Sequence, residues 1–286
     1  MTILFMGTPD FAVPSLEALI AAGHTICGVF TQPDRPKNRG MKLQAPPVKR
    51  IALAHDIPVF QPVTLKDGTA LEEIRQMSPE LIVVAAYGKI LPEDILNTPP
   101  YGRLLPRKIL ELPAKGCINV HSSLLPKYRG AAPINWAVLN GEEETGVTIM
   151  YMAQELDAGD IIAQASTPID PEETVESVHD RLAGLGARLL VQTVSRLEAG
   201  TAERTPQDGE RATYAPMLSR ELSPIDWTRP AREIHDQIRG LIPWPASSTD
   251  LLGAGVVKVF GGRETGESTS RRPGTILSAD KRGIRV

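Results

Sequence analysis

The side chains best placed for chemistry lie in the segment Asn119-Val120-His121, which ends a short apolar run that begins at Cys117. In a β-strand, residues i and i+2 face the same side, so the amide of Asn119 and the imidazole of His121 are expected to project together. An amide donor beside an imidazole can hold an oxyanion and pass a proton. An asparagine and a histidine at a strand end are more often structural than catalytic, so the pair alone leaves both interpretations open.

Two polar segments could complete such a site. The loop of residues 122–133 is stiffened by a proline and turns at a glycine, so it could present amides and apolar side chains to a flat heteroaromatic ligand. The turn of residues 156–160 carries Asp157, whose carboxylate could fix the tautomer of His121 or hold a water molecule. An aspartate next to a glycine is also common in ordinary turns, so a structural role for Asp157 stays open.

A third candidate segment, Gly-Thr-Pro-Asp at residues 7–10, follows a strand pattern and precedes a helix pattern. Phosphate-binding loops occupy this kind of position, but the segment lacks the Gly-x-Gly-x-x-Gly spacing. The sequence therefore disfavours dinucleotide binding and indicates a tight turn that ends the strand.

The elements that must position these residues alternate between strand and helix in the first part of the chain. This alternation predicts an α/β fold with a mostly parallel sheet, in which ligands bind beyond the carboxyl ends of the strands. The predicted strands cover residues 3–6, 26–31, 59–60, 81–86, 117–121, 147–152 and 161–163, and the predicted helices cover residues 14–23, 48–55, 71–77, 132–139 and 175–197.

The pattern changes near residue 200, where a polar stretch with prolines and glycines begins. We expect a first domain of residues 1–204, a linker of residues 205–222 and a second domain of residues 223–286. The second domain shows a short helix at 231–239 and β-like pieces at 256–260, 275–277 and 284–286, which are typical of a small β-barrel.

Composition bounds the class of protein. Of the 286 residues, 42% are hydrophobic and 23% are charged, as in ordinary globular proteins, and no apolar run approaches the length of a membrane helix. The first residues enter a strand pattern without a basic leader. We therefore expect a cytoplasmic protein without membrane contact. Cys27 and Cys117 lie in apolar runs and form no metal-ligand or disulfide spacing, so two buried, reduced thiols are expected.

Charge is distributed unevenly along the chain. The net charge of −3 argues against a general nucleic-acid binder, but basic residues concentrate between residues 33 and 50 and again after residue 270. Such patches suit a protein that touches a phosphate backbone at a few places, although solvated surface charge produces similar patches.

One short internal repeat is visible. Residues 91–96, Leu-Pro-Glu-Asp-Ile-Leu, recur as Leu-Pro-Arg-Lys-Ile-Leu at residues 105–110. We interpret the stretch of residues 97–110 as a local duplication inserted into a surface loop.

An ordered set of motifs along essentially the whole chain resembles the methionyl-tRNA formyltransferase family. The motifs are Phe-Met-Gly-Thr-Pro-Asp-Phe (5–11), Val-Phe-Thr-Gln-Pro-Asp-Arg-Pro (29–36), Tyr-Gly-Lys-Ile-Leu-Pro (87–92), Cys-Ile-Asn-Val-His-Ser-Ser-Leu-Leu-Pro (117–126), Arg-Gly-Ala-Ala-Pro-Ile (129–134), Gly-Val-Thr-Ile-Met (146–150), Leu-Asp-Ala-Gly-Asp (156–160), Tyr-Ala-Pro-Met-Leu-Ser (214–219), Ile-Asp-Trp (225–227) and Pro-Trp-Pro (243–245). The insertion-like stretch at 97–110 and the end at Val286, beyond which the family usually continues, depart from the pattern.

The resemblance implies a Rossmann-like, mostly parallel sheet followed by a small OB-like β-barrel domain. It implies formyl transfer from 10-formyltetrahydrofolate to methionyl-initiator tRNA, with no metal. Separately, we expect a monomer. Asn119 and His121 would stabilise the oxyanion, and Asp157 would orient His121 and help to move the proton. The resemblance also implies a set of folate contacts and a set of tRNA contacts. These are Ser123, Leu124, Leu125, Pro126, Ile90 and Leu91 for the folate, and Arg35, Lys37, Arg39 and Lys42 for the tRNA.

Three alternatives share part of this pattern. A glycinamide ribonucleotide formyltransferase would end after the first domain, so the residues after 205 argue against it. A formyltransferase for an amino-sugar nucleotide or another small amine would share the Asn, His and Leu-Leu-Pro motifs but not the basic loop. A folate- or RNA-binding protein without activity is disfavoured by the intact Asn119, His121 and Asp157.

Overall fold

The computed structural model describes residues 1–37, 42–66, 68–88, 105–251, 253, 255–281 and 283–286. Contacts among these residues divide the chain into two compact units. The first comprises Met1–Pro133, Glu144–Thr167 and His179–Met217, and the second comprises Ile134–Glu143, Pro168–Val178 and Leu218–Val286. The domain boundaries expected at residues 204 and 222 stay a prediction.

In chain order, the strands are β1 (Thr2–Gly7), β2 (Thr25–Phe30), β3 (Arg35–Lys37), β4 (Lys42–Gln44), β5 (Val59–Phe60), β6 (Leu81–Ala85), β7 (Cys117–His121), β8 (Arg129–Gly130), β9 (Glu144–Tyr151), β10 (Ile161–Pro168), β11 (Tyr214–Ala215), β12 (Ser247–Leu251), β13 (Gly255–Val259), β14 (Ser278–Asp280) and β15 (Gly283–Arg285). The α-helices are α1 (Val13–Ala21), α2 (Pro47–Ala54), α3 (Thr69–Met77), α4 (Arg107–Leu110), α5 (Pro133–Leu139), α6 (Val175–Ala199) and α7 (Ala231–Gly240). None of the described helices has both the length and the apolar run that a membrane crossing requires.

Seven of the described strands form one sheet, in the order β10-β9-β7-β6-β1-β2-β5. The pairs β1–β2, β1–β6, β2–β5 and β6–β7 are parallel, and β9 runs antiparallel to β7. The chain therefore has the predicted α/β fold with a mostly parallel, Rossmann-like sheet.

The interior strands of this sheet are apolar because both of their faces are covered. All five residues of β6 and five of the six residues of β1 are buried. Phe5 pairs with Val83 across these strands, and Val83 pairs with Ile118 of β7. Burying such a side chain stabilises the fold by roughly 1.5–3 kcal/mol. The central strands thus form a rigid frame that holds the polar end of β7.

Helix α1 shows how local signals set an element. Pro14 lies in its first turn, where the backbone N–H groups have no partner within the helix and a proline costs little. Leu16 and Leu19 face the core and are fully buried. Gly23 follows the helix with a φ of +81°, a left-handed conformation that glycine adopts without strain.

Two segments of the first unit differ from the predictions. The basic loop contains an antiparallel ribbon formed by β3 and β4, in which Arg35 pairs with Gln44. The prediction of a surface loop up to residue 110 is wrong at its end, because Leu105 is only 3% exposed and Ile109 is fully buried. Both side chains belong to a hydrophobic cluster that includes Ile82. Their apolar character therefore serves the core.

The second unit contains α7 and two antiparallel hairpins, β12–β13 and β14–β15, which supply the strands of the predicted OB-like domain. The strand predicted at 275–277 lies instead at 278–280, because pairing with β15 begins where Ser278 meets Arg285. In α7, Arg239 is 3% exposed and donates to Asp236 Oδ1 at 2.7 Å and to the Glu173 carbonyl at 2.9 Å. These bonds compensate for the burial of two charges.

Candidate active site

Strand β7 carries the two residues with which the proposed chemistry begins. It lies between β6 and β9, where Asn119 pairs with Val84 and with Met150, and His121 pairs with Thr148. The side chain of Asn119 is half-buried, and His121 is 5% exposed. Because residues two apart on a strand share a face, the amide and the imidazole lie on one side of the sheet, near the carboxyl end of β7.

The imidazole of His121 is held by a backbone carbonyl. Its Nε2 lies 3.0 Å from the Tyr128 oxygen. A carbonyl oxygen only accepts hydrogen bonds, so Nε2 must carry the proton, and Nδ1 is the nitrogen that remains available to bind or release one. This tautomer is set by the loop after β7, whereas the sequence left open whether Asp157 fixes it.

The carboxylate of Asp157 faces the available nitrogen. Asp157 Oδ2 lies 3.8 Å from His121 Nδ1, which is longer than a hydrogen bond and leaves space for a small movement. The same oxygen accepts a hydrogen bond of 2.8 Å from the Gly130 amide. The structure therefore brings Asp157 beside His121 through the loop after β7. The catalytic role of this pair stays a prediction.

The turn that carries Asp157 is tightly constrained. Asp157 has a φ of +48°, in the left-handed region that residues other than glycine seldom adopt. Gly159 follows two residues later, and a Cβ atom there would lie 1.8 Å from the Tyr151 carbonyl oxygen. A side chain at position 159 would therefore push the turn away from β9.

The sequence analysis missed two side chains that border this site. Both come from the stretch that was predicted to be a linker. Gln207 donates hydrogen bonds of 2.8 Å to the carbonyls of Asp157 and Gly159. Thr213 accepts a hydrogen bond of 2.9 Å from the Tyr128 amide. The polar composition that indicated a linker carried no signal for these contacts.

The loop proposed to contact the folate is held by hydrogen bonds to side chains of β9 and β10. Thr148 Oγ1 accepts from the Leu125 amide at 3.1 Å and donates to the Ser123 carbonyl at 2.7 Å. Gln164 donates to the Leu125 carbonyl at 2.9 Å. The side chains of Ser123 and Leu125 are buried, whereas Leu124 and Pro126 are half-buried. Of these four side chains, Leu124 and Pro126 are therefore the two that a ligand could reach.

Several expected binding residues lie outside the described residues. These are Ile90 and Leu91 of the folate set and Arg39 of the tRNA set, together with the side chains of Lys37 and Lys42. Arg35 is exposed on β3. These assignments stay predictions.

The ribbon β3–β4 is anchored just before its first strand. Lys49 Nζ lies 2.9 Å from both carboxylate oxygens of Asp34, and Gln61 donates to Asp34 at 2.8 Å. The hydrogen bond from Lys49, and next that from Gln61, lower the pKa of Asp34 below its ordinary value. Asp34 is therefore ionised at neutral pH, and its charge ties the base of the ribbon to α2.

Neither cysteine offers a nucleophile. Burial raises the pKa of the Cys117 thiol to about 12, and burial also raises the pKa of Cys27. A protonated thiol is a poor nucleophile. Both thiols are free, as predicted, but only Cys117 is fully buried. In the part of the chain that the structure describes, no three His, Cys, Asp or Glu side chains cluster as metal ligands. The expectation that the reaction needs no metal stays a prediction.

Sequence comparison relates the whole chain to formyl transferases. The family model described as Formyl transferase matches residues 1–101 and 98–194, and the Formyl transferase, C-terminal domain model matches residues 217–286. The chain is 53% identical over 286 residues to the methionyl-tRNA formyltransferase of Moorella thermoacetica, covering 100% of this chain and 87% of the relative. It is 51% identical to that of Pelobacter propionicus, covering 96% and 81%.

Solved structures share the fold at lower identity. A sugar N-formyltransferase from Shewanella sp. superposes with a TM-score of 0.67 at 19% identity, covering 92% of this chain and 98% of that one. HypX from Aquifex aeolicus in complex with tetrahydrofolic acid gives a TM-score of 0.62 at 18% identity, covering 99% and 41%. At such identities, these structures support the fold alone.

Proposed function

Because this chain belongs to the methionyl-tRNA formyltransferase family, we propose that it transfers the formyl group of 10-formyltetrahydrofolate to the amino group of methionyl-initiator tRNA. The observation that carries this proposal is the 53% identity to the Moorella thermoacetica protein over all 286 residues. The sugar N-formyltransferase from Shewanella sp. is only 19% identical, so it does not support a sugar acceptor. We propose that the protein acts as a monomer in the cytoplasm.

The proposed transfer is an acyl substitution at the formyl carbon. The neutral amine of methionine attacks this carbon, a C–N bond forms, and the carbonyl oxygen becomes an oxyanion. Collapse of the tetrahedral intermediate breaks the bond to N10 of the folate. The proton lost by the attacking amine ends on N10, so the products are formylmethionyl-tRNA and tetrahydrofolate. Nothing is oxidised or reduced.

Asn119 and His121 are proposed to stabilise the oxyanion. The half-buried amide of Asn119 would donate an N–H group to it. His121 already donates its Nε2–H to the Tyr128 carbonyl, so it can donate to the oxyanion only when Nδ1 also carries a proton. The oxyanion would then be held by one neutral and one cationic donor.

Asp157 is proposed to serve the proton transfer. Its Oδ2 lies 3.8 Å from His121 Nδ1 and also accepts a hydrogen bond from the Gly130 amide. After a small movement, or through one water molecule, the carboxylate can accept the proton lost by the attacking amine and pass it to N10, while the Nδ1–H group of His121 stays directed at the oxyanion. This geometry supports a path by which the proton leaves the amine and reaches N10.

The folate contacts are proposed to divide into two kinds. Leu124 and Pro126 are half-buried, so they can touch the ring system directly. Ser123 and Leu125 are buried, so they would act by keeping the loop in shape. Ile90 and Leu91, which the family resemblance adds, would contact the same ligand.

The ribbon β3–β4 is proposed to contact the acceptor arm of the tRNA, through Arg35, Lys37, Arg39 and Lys42. Basic side chains that neutralise phosphates release counterions, so their contribution to binding falls as salt rises. Arg39→Ala should raise KM for methionyl-tRNA and flatten its salt dependence, with KM for the folate unchanged. An identical salt dependence in the variant would contradict the tRNA role of this segment.

A single assay tests the proposed reaction. The protein is given 10-formyltetrahydrofolate with methionyl-initiator tRNA, glycinamide ribonucleotide, an amino-sugar nucleotide or no acceptor, each with and without a chelator. We expect formyl transfer to methionyl-initiator tRNA alone, unaffected by the chelator. Preferred transfer to a small amine would overturn the proposed acceptor, and loss of activity with the chelator would overturn the metal-free reaction.

A further inference from the structure

The side chain of Gln207 uses every hydrogen-bonding group that it has. Its Nε2 donates to the carbonyls of Asp157 and Gly159, each at 2.8 Å. Its Oε1 accepts from Arg129 Nη2 at 2.8 Å and from Arg129 Nε at 3.1 Å. An amide can donate two hydrogen bonds and accept two, so Gln207 is fully satisfied in this position.

The anchor of this amide is itself buried and fixed. Arg129 is 4% exposed, and its backbone amide donates to the Thr213 carbonyl at 2.8 Å. Its guanidinium also lies 3.6 Å from Glu155, whose side chain is 72% exposed. Among the described side chains, the two hydrogen bonds to Gln207 are therefore shorter than the contact of this guanidinium with Glu155. Gln207 connects a rigid side chain to a turn that needs support.

The turn needs support because Asp157 has a left-handed backbone, with a φ of +48°. Such a conformation persists in a residue other than glycine only where the surroundings hold it. Gln207 bonds the carbonyl of Asp157 itself and the carbonyl two residues later, so it spans the strained part of the turn. Without these two donors, the turn is free to relax and to carry the carboxylate away from Gly130 and His121.

We propose that Gln207 is a positioning residue for formyl transfer, which acts by holding the carboxylate of Asp157 beside His121. This inference rests on the proposed function, in which Asp157 serves the proton transfer. The amide donors of Gln207 do the positioning, and its oxygen only ties the side chain to Arg129. The two halves of the amide can therefore be separated by experiment.

The variant Gln207→Glu separates them. Its carboxylate still accepts from Arg129, and more strongly, because the bond becomes charge-assisted. It cannot donate to the carbonyls of Asp157 and Gly159. We expect a thermal midpoint close to that of the wild type, a KM for 10-formyltetrahydrofolate within about threefold, and a kcat lower by ~10–100-fold, as misplacement of a reacting group by about 1 Å can cause. If Gln207 only fastened the linker to Arg129, kcat would not fall.

The matched control is Gln192→Glu, which adds the same charge at an exposed glutamine of α6. We expect it to leave kcat and KM unchanged. If Gln207→Glu does not fold, Gln207→Met keeps the length of the side chain without the hydrogen bonds of its amide, and the same fall in kcat is expected. Wild-type kcat in the folded variant would overturn the inference.

A double-mutant cycle tests the route through Asp157. If Gln207 acts by placing this carboxylate, Gln207→Glu should lower kcat by less than twofold in a chain that already carries Asp157→Asn. Full additivity of the two losses would show that Gln207 acts by another route.

Amide exchange gives a readout that needs no activity. The Gly130 amide donates to Asp157, whereas the neighbouring amides of Arg129 and Ala131 donate to the carbonyls of Thr213 and Ala215. In Gln207→Glu, we expect faster exchange at Gly130 and unchanged exchange at its two neighbours. Unchanged protection at Gly130 would overturn the inference. Failure of the wild type to formylate methionyl-tRNA would overturn the proposed function instead, and the exchange result would still stand.

Discussion

The charge of Asp157 can be removed without changing the shape of its side chain, by the substitution Asp157→Asn. The amide keeps an oxygen for the Gly130 N–H group, so the turn should survive. The loss is electrostatic. In the wild type, the carboxylate lies 3.8 Å from His121 Nδ1, and the two side chains are 14% and 6% exposed. At about 4 Å and an effective dielectric constant near 20, opposite unit charges attract by about 4 kcal/mol.

This magnitude sets the expected effect on catalysis. If His121 is cationic in the transition state, losing about 4 kcal/mol of stabilisation lowers kcat by ~10³-fold, and partial replacement by water brings the loss nearer ~10²-fold. The affinity for the folate should change little, because the carboxylate is proposed to act on the proton and not on the ring system.

The assay is single-turnover formyl transfer at saturating methionyl-tRNA and 10-formyltetrahydrofolate, with donor binding measured separately. The matched control is Asp180→Asn, which removes a carboxylate that also faces a histidine, His179, at 2.9 Å but is 84% exposed. The control should keep wild-type kcat. A kcat for Asp157→Asn within fivefold of the wild type would refute the reasoning, because the charge would then not act on the transition state.

Three further predictions concern Asn119, the turn at Gly159 and the ion pair between Lys49 and Asp34. Asn119→Ala removes one proposed oxyanion donor and should lower kcat by ~10²–10³-fold in the same assay, while binding of the formyl donor survives. Near-normal turnover would exclude this role. Gly159→Ala places a Cβ 1.8 Å from a backbone carbonyl and should lower both the thermal midpoint and kcat, whereas Gly209→Ala, where a Cβ meets nothing within 4 Å, should lower neither. Lys49→Met removes the main cause of the lowered pKa of Asp34, so this pKa should rise toward its ordinary value of about 3.9. A lowered pKa stabilises the folded protein at pH values above the pKa of the unfolded state, and this contribution is lost as the pH falls through the pKa of the folded state. The free energy of unfolding should therefore fall more in the wild type than in the variant below about pH 5. Equal decreases would count against the ion pair.

The seven strands of the large sheet were predictable from local patterns. The apolar run at residues 81–86 corresponds to β6. The strand predicted at 117–121 has the same bounds as β7 in the structure. Such patterns indicate whether a strand is buried on both faces. This burial does not depend on which neighbours the strand has in the sheet, so the strand can be predicted without its partners. The prediction of a strand at 275–277 was wrong because a two-stranded hairpin is little buried. Its position is decided by the pairing of the two strands, which the local pattern does not show.

Residues 105–110 show a second limit. Their similarity to residues 91–96 suggested a duplication on the surface, yet Leu105 and Ile109 are in the core. A repeated sequence indicates how a segment arose. Whether that segment is buried depends on the apolar surface of the residues around it in the folded chain.

The amino-acid sequence by itself determined the family, the α/β fold and the identity of the side chains proposed for catalysis, because residue types and their order along the chain carry that information. Only the tertiary structure showed that the Tyr128 carbonyl sets the proton position on His121, and that Gln207 supports the turn of Asp157 from 50 residues away along the chain. Such contacts depend on where separate segments pack and on backbone atoms that every residue possesses. The pattern of side chains along the sequence therefore does not predict them.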